Sequence, residues 1–350
     1  MENYFLTIDN GGTNTKVIIF DQSGNQIAVE AFPTKGLEPK SGFHEIDLIK
    51  LWQDLATAIR AVLVKGKLKG DQIKGIATVG HGKGLYTLDK EQHIFMNGIL
   101  SADSRAEKYA AEFEGRVEEI FPLSHQHVMT SQAPVILRWL KDYRSELYNQ
   151  IGSILSNKDF IGYLLTGEVK QEIGDASGNN LVNLDSEKYD RRLLEFFGIT
   201  EMMTKLPPLI KATDQRGKVS IEAAEATGLV EGTPVFGGMF DIDACAIASA
   251  SKNAPFILEK LGVIDLFDAI VDPATLTKGK PDPEIFVKAA ESIGIKPEEA
   301  IGFEDAQAGI AGIKACSMYA IGILAGEPLD QADRTVHTLD ELNMDELIAL

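Results

Sequence analysis

The sequence predicts an α/β protein built from two segments of different style. The first 32 residues alternate short apolar runs with turn signals, as an antiparallel meander does. After residue 253, apolar runs alternate strictly with amphipathic stretches, which indicates a parallel, doubly wound sheet. Between the two, buried-strand and helix patterns follow one another, as in an α/β domain.

The elements follow in order. "YFLTID" (4–9), "TKVIIFD" (15–21) and "QIAVEAF" (26–32) read as strands, with "NGGTN" and "QSGN" as the turns between them. Residues 46–63 carry Leu48, Leu51, Trp52, Leu55, Ile59, Val62 and Leu63 at helical spacing. "IKGIATVG" (73–80) reads as a buried strand, and helices are expected from about 104 and about 134. Pro207 and Pro208 mark a break before an extended stretch, "LIKATDQRGKV". In the second segment, "APFILEKLG" (254–262), "DPEIFVKAAESIG" (282–294) and "AQAGIAGIKACS" (306–317) read as helices. "FDAIVD" (267–272), "EEAIGFED" (298–305) and "MYAIGIL" (318–324) read as strands or strand ends.

Composition narrows the function classes. The 350 residues suffice for two or three domains. The net charge of -18 repels nucleic-acid backbones and anionic lipid, so DNA, RNA and membrane partners are not expected; a small anionic substrate at a locally positive site is compatible. Cys245 and Cys316 lie in no CxxC or Cys/His cluster, which argues against a zinc site or a disulfide framework. "MENYFLTIDNGG" lacks a basic region followed by an apolar run, and no stretch approaches the roughly 18 apolar residues of a membrane span. A cytoplasmic protein is the expectation.

"DNGGTNTK" joins the first two strands. Gly11 and Gly12 let the backbone turn tightly and offer N–H groups to an anion, and Asp9, at a strand end, is suited to hold Mg²⁺ through water. On spacing alone a hairpin turn with a polar rim is the simpler reading. Four further stretches follow in order: "GHGKGLYTLD" (80–89), "SADSR" (101–105), "SGNNLVNLDSEKYD" (177–190) and "TGLVEGTPVFGGMFD" (227–241). With "DNGGTNTK", they resemble the N-terminal domain of the FGGY carbohydrate kinases, nearest the xylulose and L-xylulose kinase branch, over about residues 1–245. The resemblance implies an actin/ribonuclease H-like domain that uses ATP and Mg²⁺.

It also implies roles. Asp9, with Gly11, Gly12, Thr13 and Asn14, would lie at the ATP phosphates and metal. Gly82, Lys83 and Asp103 would touch the sugar, with Arg105 orienting Asp103 or a sugar hydroxyl. Asp241 matches the catalytic base, the carboxylate that accepts a hydroxyl proton as the hydroxyl attacks the γ-phosphate. Without the motif order, Asp103 and Arg105 read as a surface ion pair and Lys83 as a solvated loop residue. Lys83 stands where many xylulose kinases have histidine, so the sugar's identity does not follow. His81 is a weaker candidate, and a loop histidine with no partner reads more simply as solvated.

From about Ala246 the chain resembles β-phosphoglucomutase and its haloacid dehalogenase relatives, giving a partial Rossmann-like lobe over 246–350. The motifs are "IASASKN" (247–253), "KGKPDPEIF" (278–286) and "GFEDAQAGIAGIKA" (302–315). The resemblance implies that Ser249 holds a transferring phosphate, with Ser251, Lys252 and Asn253 near the substrate. Lys280 would neutralise phosphate charge, and Glu304 and Asp305 would hold Mg²⁺. A helix N-cap is the plainer reading of the last two, and the two readings are compatible.

That family also needs a DxD nucleophile on a strand beside the serine motif. "FDID" (240–243) does not supply it: only five residues separate Asp243 from Ser249, whereas parallel neighbours need a crossover of a dozen or more. "FDID" is therefore the kinase base region. The strand "DACAIASA" is a junction that serves either fold, and each half is recognisable but incomplete. The expectation is an ATP-dependent kinase for a ketopentose or related sugar, impaired because the closing domain is missing. The alternatives are a sugar-phosphate mutase or phosphatase without its nucleophile, and a non-catalytic binding remnant or fusion that self-associates or forms a homo-oligomer through open sheet edges.

Overall fold

The structure is a computed structural model that describes residues 3–241, 244, 269, 271, 276–324, 329–336 and 341–342. The chain divides into two compact units, Met1–Ala244 and Cys245–Leu350.

The first unit is organised by a seven-stranded sheet. Tyr4–Asn10, Asn14–Asp21 and Gln26–Pro33 form the expected antiparallel meander. Ile73–Gly80 lies parallel to Tyr4–Asn10 on its other side. Pro234–Phe236 and Gln215–Lys218 continue the sheet beyond it, and Met239–Phe240 also pairs with Ile73–Gly80. The apolar runs read as strands bury alternate side chains: Leu6, Ile8, Val17 and Ile19 face inward with their neighbours turned out. They meet Leu55, Ile59 and Val62 from the helix Leu48–Lys65, whose first N–H groups are capped by the Asp47 carboxylate. Each such side chain contributes about 1.5–3 kcal/mol when fully buried.

A second core of Phe113, Ile136, Leu137, Leu140, Leu193 and Phe197 is built mostly from helices. These include Glu107–Glu114 and Ala133–Tyr143, near the two expected starts. The stretch after Pro208 is two short strands, Leu209–Ile210 and Gln215–Lys218, that pair with different partners.

In the second unit, Ile301–Glu304, Tyr319–Ile323 and Arg334–Val336 form a parallel sheet in that order. The helices Glu284–Ser292 and Gln307–Ala315 fall where the periodicity puts them, and Ile310 and Ile313 are fully buried. The helix expected at 254–262 and most of the strand expected at 267–272 lie outside the described residues, as do Cys245 and Asp243. Among the described residues no helix is long and apolar enough to cross a membrane.

Candidate functional site

The strand ends define the site. Asp9 and Asn10 close the first strand, and Asn10 pairs with Gly80 at the end of the parallel neighbour. Gly80 pairs in turn with Phe240, the residue before Asp241. Gly238 makes this approach feasible. Its φ is +69°, and a Cβ there would sit 1.9 Å from the Thr78 carbonyl oxygen. Asp9 and Asp241 therefore stand at the ends of strands that both flank Ile73–Gly80. Burial pushes the Asp9 carboxyl up, Lys16 opposes this, and the negative charge of Asp241 adds to the rise.

The loop after Asp9 carries Gly12, Thr13 and Asn14 exposed, as a phosphate loop requires. Neither Gly11 nor Gly12 adopts a positive φ, and the Gly11 N–H is spent on the Asn14 carbonyl at 3.0 Å. The loop is held instead from Thr34, whose N–H bonds the Thr13 carbonyl at 2.8 Å and whose hydroxyl donates to the Gly11 carbonyl at 3.0 Å.

Lys83 is half-buried with a φ of +67°, a backbone region that L residues seldom occupy. Gly82 lies against the Phe240 ring, which a Cβ there would meet at 2.9 Å. His81 overturns its reading as a solvated loop residue. It is 5% exposed, and its Nε2 lies 2.9 Å from the Tyr86 hydroxyl. Burial depresses its pKa, while the Gly82 carbonyl and then the charge of Asp241 oppose that shift, so His81 is within electrostatic reach of Asp241.

Asp103 and Arg105 are not a surface pair. Both side chains are buried. One Asp103 oxygen accepts from the Arg105 N–H and Nε, and the other accepts from Arg105 Nη2 and the His44 N–H. Arg105 also reaches Glu45 at 2.8 Å, and its guanidinium carbon stands 4.5 Å from the Phe43 ring centroid. Arg105 thus orients Asp103, and a sugar hydroxyl that reached Asp103 would share an oxygen already occupied. Arg105→Ala should cost about 3–5 kcal/mol in a denaturant melt, because it strands a buried carboxylate.

A charged cluster that the sequence reading missed lies under the sheet. Lys158 Nζ is 2.9 Å from Asp175, 3.2 Å from Asp159 and 3.4 Å from Glu172, and Arg216 pairs with Asp159. All of these side chains are buried. Two cations face three carboxylates. Burial and the neighbouring acids push the odd one, Asp175, up to about 7, despite Lys158. The charged residues of "NKDF" and "GDASG" were visible, but no spacing rule brings them together.

In the second unit, Glu304 ends the Ile301–Glu304 strand and pairs with Lys280, while Asp305 is exposed. Neither acid caps the following helix. Its N-cap is Ala306, with no side-chain hydrogen bond, which removes the N-cap reading. Among the described residues no three His, Cys, Asp or Glu side chains gather as metal ligands. Ser249, Ser251, Lys252 and Asn253 lie outside the described residues.

Comparison with known proteins matches this division. The N-terminal domain of the FGGY family of carbohydrate kinases matches residues 4–248, and haloacid dehalogenase-like hydrolase matches residues 241–317. The two overlap at 241–248. A probable L-xylulose kinase of Pasteurella multocida is 38% identical over 262 residues, which are 74% of this chain and 54% of that protein. The L-xylulose/3-keto-L-gulonate kinase of Escherichia coli is 36% identical, over 72% of this chain and 51% of its own length. The chain spans about half the length of these kinases. A β-phosphoglucomutase of Bacillus subtilis is 48% identical over 101 residues, 29% of this chain and 45% of that protein. The solved xylulose kinase of Rhodospirillum rubrum shares the fold, with a TM-score of 0.66 at 24% identity over 71% of this chain and 51% of that one. Its actin/ribonuclease H-like architecture is the one the meander and its parallel neighbour build. Through its N-terminal domain, the chain belongs to the FGGY family of carbohydrate kinases.

Proposed function

We propose that this chain binds a ketose and phosphorylates it from ATP, with residues 1–245 serving as the acceptor-binding half of a kinase cleft and 246–350 as a haloacid dehalogenase-type lobe. The observation that carries the reading is that Asp9 and Asp241 stand at the ends of strands that both flank Ile73–Gly80, with the charge of Asp241 acting on the Asp9 carboxyl. Asp241 is the base that takes the hydroxyl proton during attack on the γ-phosphate. Asp9 is a hard oxygen donor suited to hold the Mg²⁺ of the nucleotide through water, and a cation there relieves its repulsion with Asp241. When bound, that Mg²⁺ neutralises phosphate charge. Gly12, Thr13 and Asn14 line the phosphate side, and Gly82 and Lys83 the sugar side. The named substrates of the two kinase relatives make L-xylulose or 3-keto-L-gulonate the acceptor class to try first.

Turnover should be slow. In this chain a haloacid dehalogenase-like segment begins where the FGGY match ends, and kinases of this kind depend on closing the cleft and excluding water. A cytoplasmic location fits substrates of this class. In the second unit Glu304 takes up the Lys280 charge, and "FDID" offers no nucleophile, so sugar phosphate should not turn over without ATP. The test is calorimetric titration of the full chain with L-xylulose and D-xylulose. Saturable binding supports the acceptor reading. No heat up to about 10 mM, above the usual KM range, refutes it.

A further inference from the structure

Residues beneath the strand ends form one hydrogen-bonded chain, and its polarity can be read from one end. The Gly11 carbonyl can only accept, so Thr34, 3.0 Å away, donates to it. That spends the one Thr34 hydroxyl hydrogen. Thr15, 2.9 Å from Thr34, must then be the donor to Thr34. With its own hydrogen spent, Thr15 accepts from the Asn10 amide nitrogen. Asn10 therefore turns its carbonyl oxygen toward Asn157, whose Nδ2 donates to it at 2.7 Å. The second hydrogen on Asn157 Nδ2 goes to the Tyr86 hydroxyl oxygen at 2.8 Å. The Tyr86 proton is left with His81 Nε2, at 2.9 Å, as its acceptor.

His81 Nε2 is therefore bare, and the neutral ring carries its hydrogen on Nδ1. Burial keeps the ring neutral by depressing its pKa. Nδ1 is itself buried and, among the described residues, makes no hydrogen bond of good geometry, although the Gly82 carbonyl acts on the ring. A buried donor so poorly served is costly, and an oxygen of a bound ligand would satisfy it. His81 lies next to the Asp241 strand end. The His81 N–H bonds the Asn10 carbonyl, Gly82 packs on Phe240, and Asp241 acts electrostatically on the ring.

We propose that His81 is a specificity-determining residue whose Nδ1–H donates to a carbonyl or hydroxyl oxygen of the sugar bound beside Asp241. The proposal rests on the acceptor reading above and adds the group that the sugar must satisfy. A site built to satisfy a buried donor discriminates strongly against analogues that lack the matching oxygen.

Two measurements on the full chain test it. The first is the ring tautomer by ¹⁵N NMR on histidine-labelled protein, with the His81 signal among the six histidines assigned by its loss in His81→Asn. The expected pattern is Nδ1–H with bare Nε2, weakened in Tyr86→Phe, which removes the phenol proton. An Nε2–H ring in the wild type overturns the proposal. The second is ketose affinity. His81→Phe keeps bulk and loses the donor, so L-xylulose should bind about 10- to 100-fold more weakly, measured below the variant's melting transition because the buried Tyr86 proton also loses its acceptor. His81→Asn, which restores an N–H, should recover most of the loss. Equal binding by the wild type and His81→Phe overturns the specificity role while leaving the acceptor reading intact. A wild type that binds no ketose overturns the acceptor reading and the proposed ligand together, and the tautomer measurement still decides the donor.

Discussion

Lys158→Met should destabilise the first unit by about 3–5 kcal/mol, a fall of roughly 10 °C in melting temperature. The substitution conserves length but leaves Asp159, Glu172 and Asp175 buried with Arg216 as their remaining cation. Asp175→Asn should behave in the opposite way. The folded-state pKa of Asp175 is raised from 3.8 to about 7. A raised acid binds its proton more tightly in the folded state. Its contribution is therefore fully present below about 3.8 and is lost as pH rises through about 7. Asp175→Asn removes that dependence, so it should be more stable than the wild type at pH 8 and closer to it at pH 5. Urea melts of both variants at the two pH values check the pair. A Lys158→Met protein as stable as the wild type would mean the cluster is not charged as its geometry implies.

Asp241→Asn should lower ketose-dependent ATP turnover by about 10²–10⁴-fold, the usual contribution of a general base, while ketose affinity changes little. The asparagine keeps the shape and loses the proton acceptor. It also removes a negative charge that raises Asp9, so the Asp9 carboxyl should titrate at lower pH in the variant. An NMR titration of the Asp9 carboxyl reads that shift independently of catalysis. Unchanged titration would mean the two carboxylates do not share a site.

Much of the fold was legible because local patterning and burial coincide. The apolar runs that hold Leu6, Ile8, Val17 and Ile19 became strands that bury these four side chains. The helix at Leu48–Lys65 follows its apolar stripe, with the Asp47 cap fixing its start two residues beyond the expected residue 46. Arg334–Val336 was missed because three residues are too few to show an alternation. The site was legible only where motif order carries it, at Asp9, Gly82, Lys83 and Asp241.

What local patterning missed are contacts between residues far apart in the chain. Asn157 reaches Asn10 across 147 positions, and Arg216 reaches Asp159 across 57. His81 looked solvated because Tyr86, which buries and binds it, lies five residues on, beyond the turn at Gly84. Arg105 and Asp103 looked like a surface pair because the Phe43 and Trp139 rings that enclose them come from distant elements. The Gly11 N–H was expected to face an anion, but it bonds the Asn14 carbonyl, and Thr34, from a distant strand end, holds the loop.

The most direct test is ATP consumption by the purified full chain with L-xylulose and D-xylulose, with sugar phosphate quantified alongside and Asp241→Asn as the control. The predicted result is slow ketose-dependent ADP release, matched by sugar phosphate and lost in the control. ADP release that ignores the ketose, or persists unchanged in Asp241→Asn, would contradict the assignment of Asp241 as base to a bound sugar.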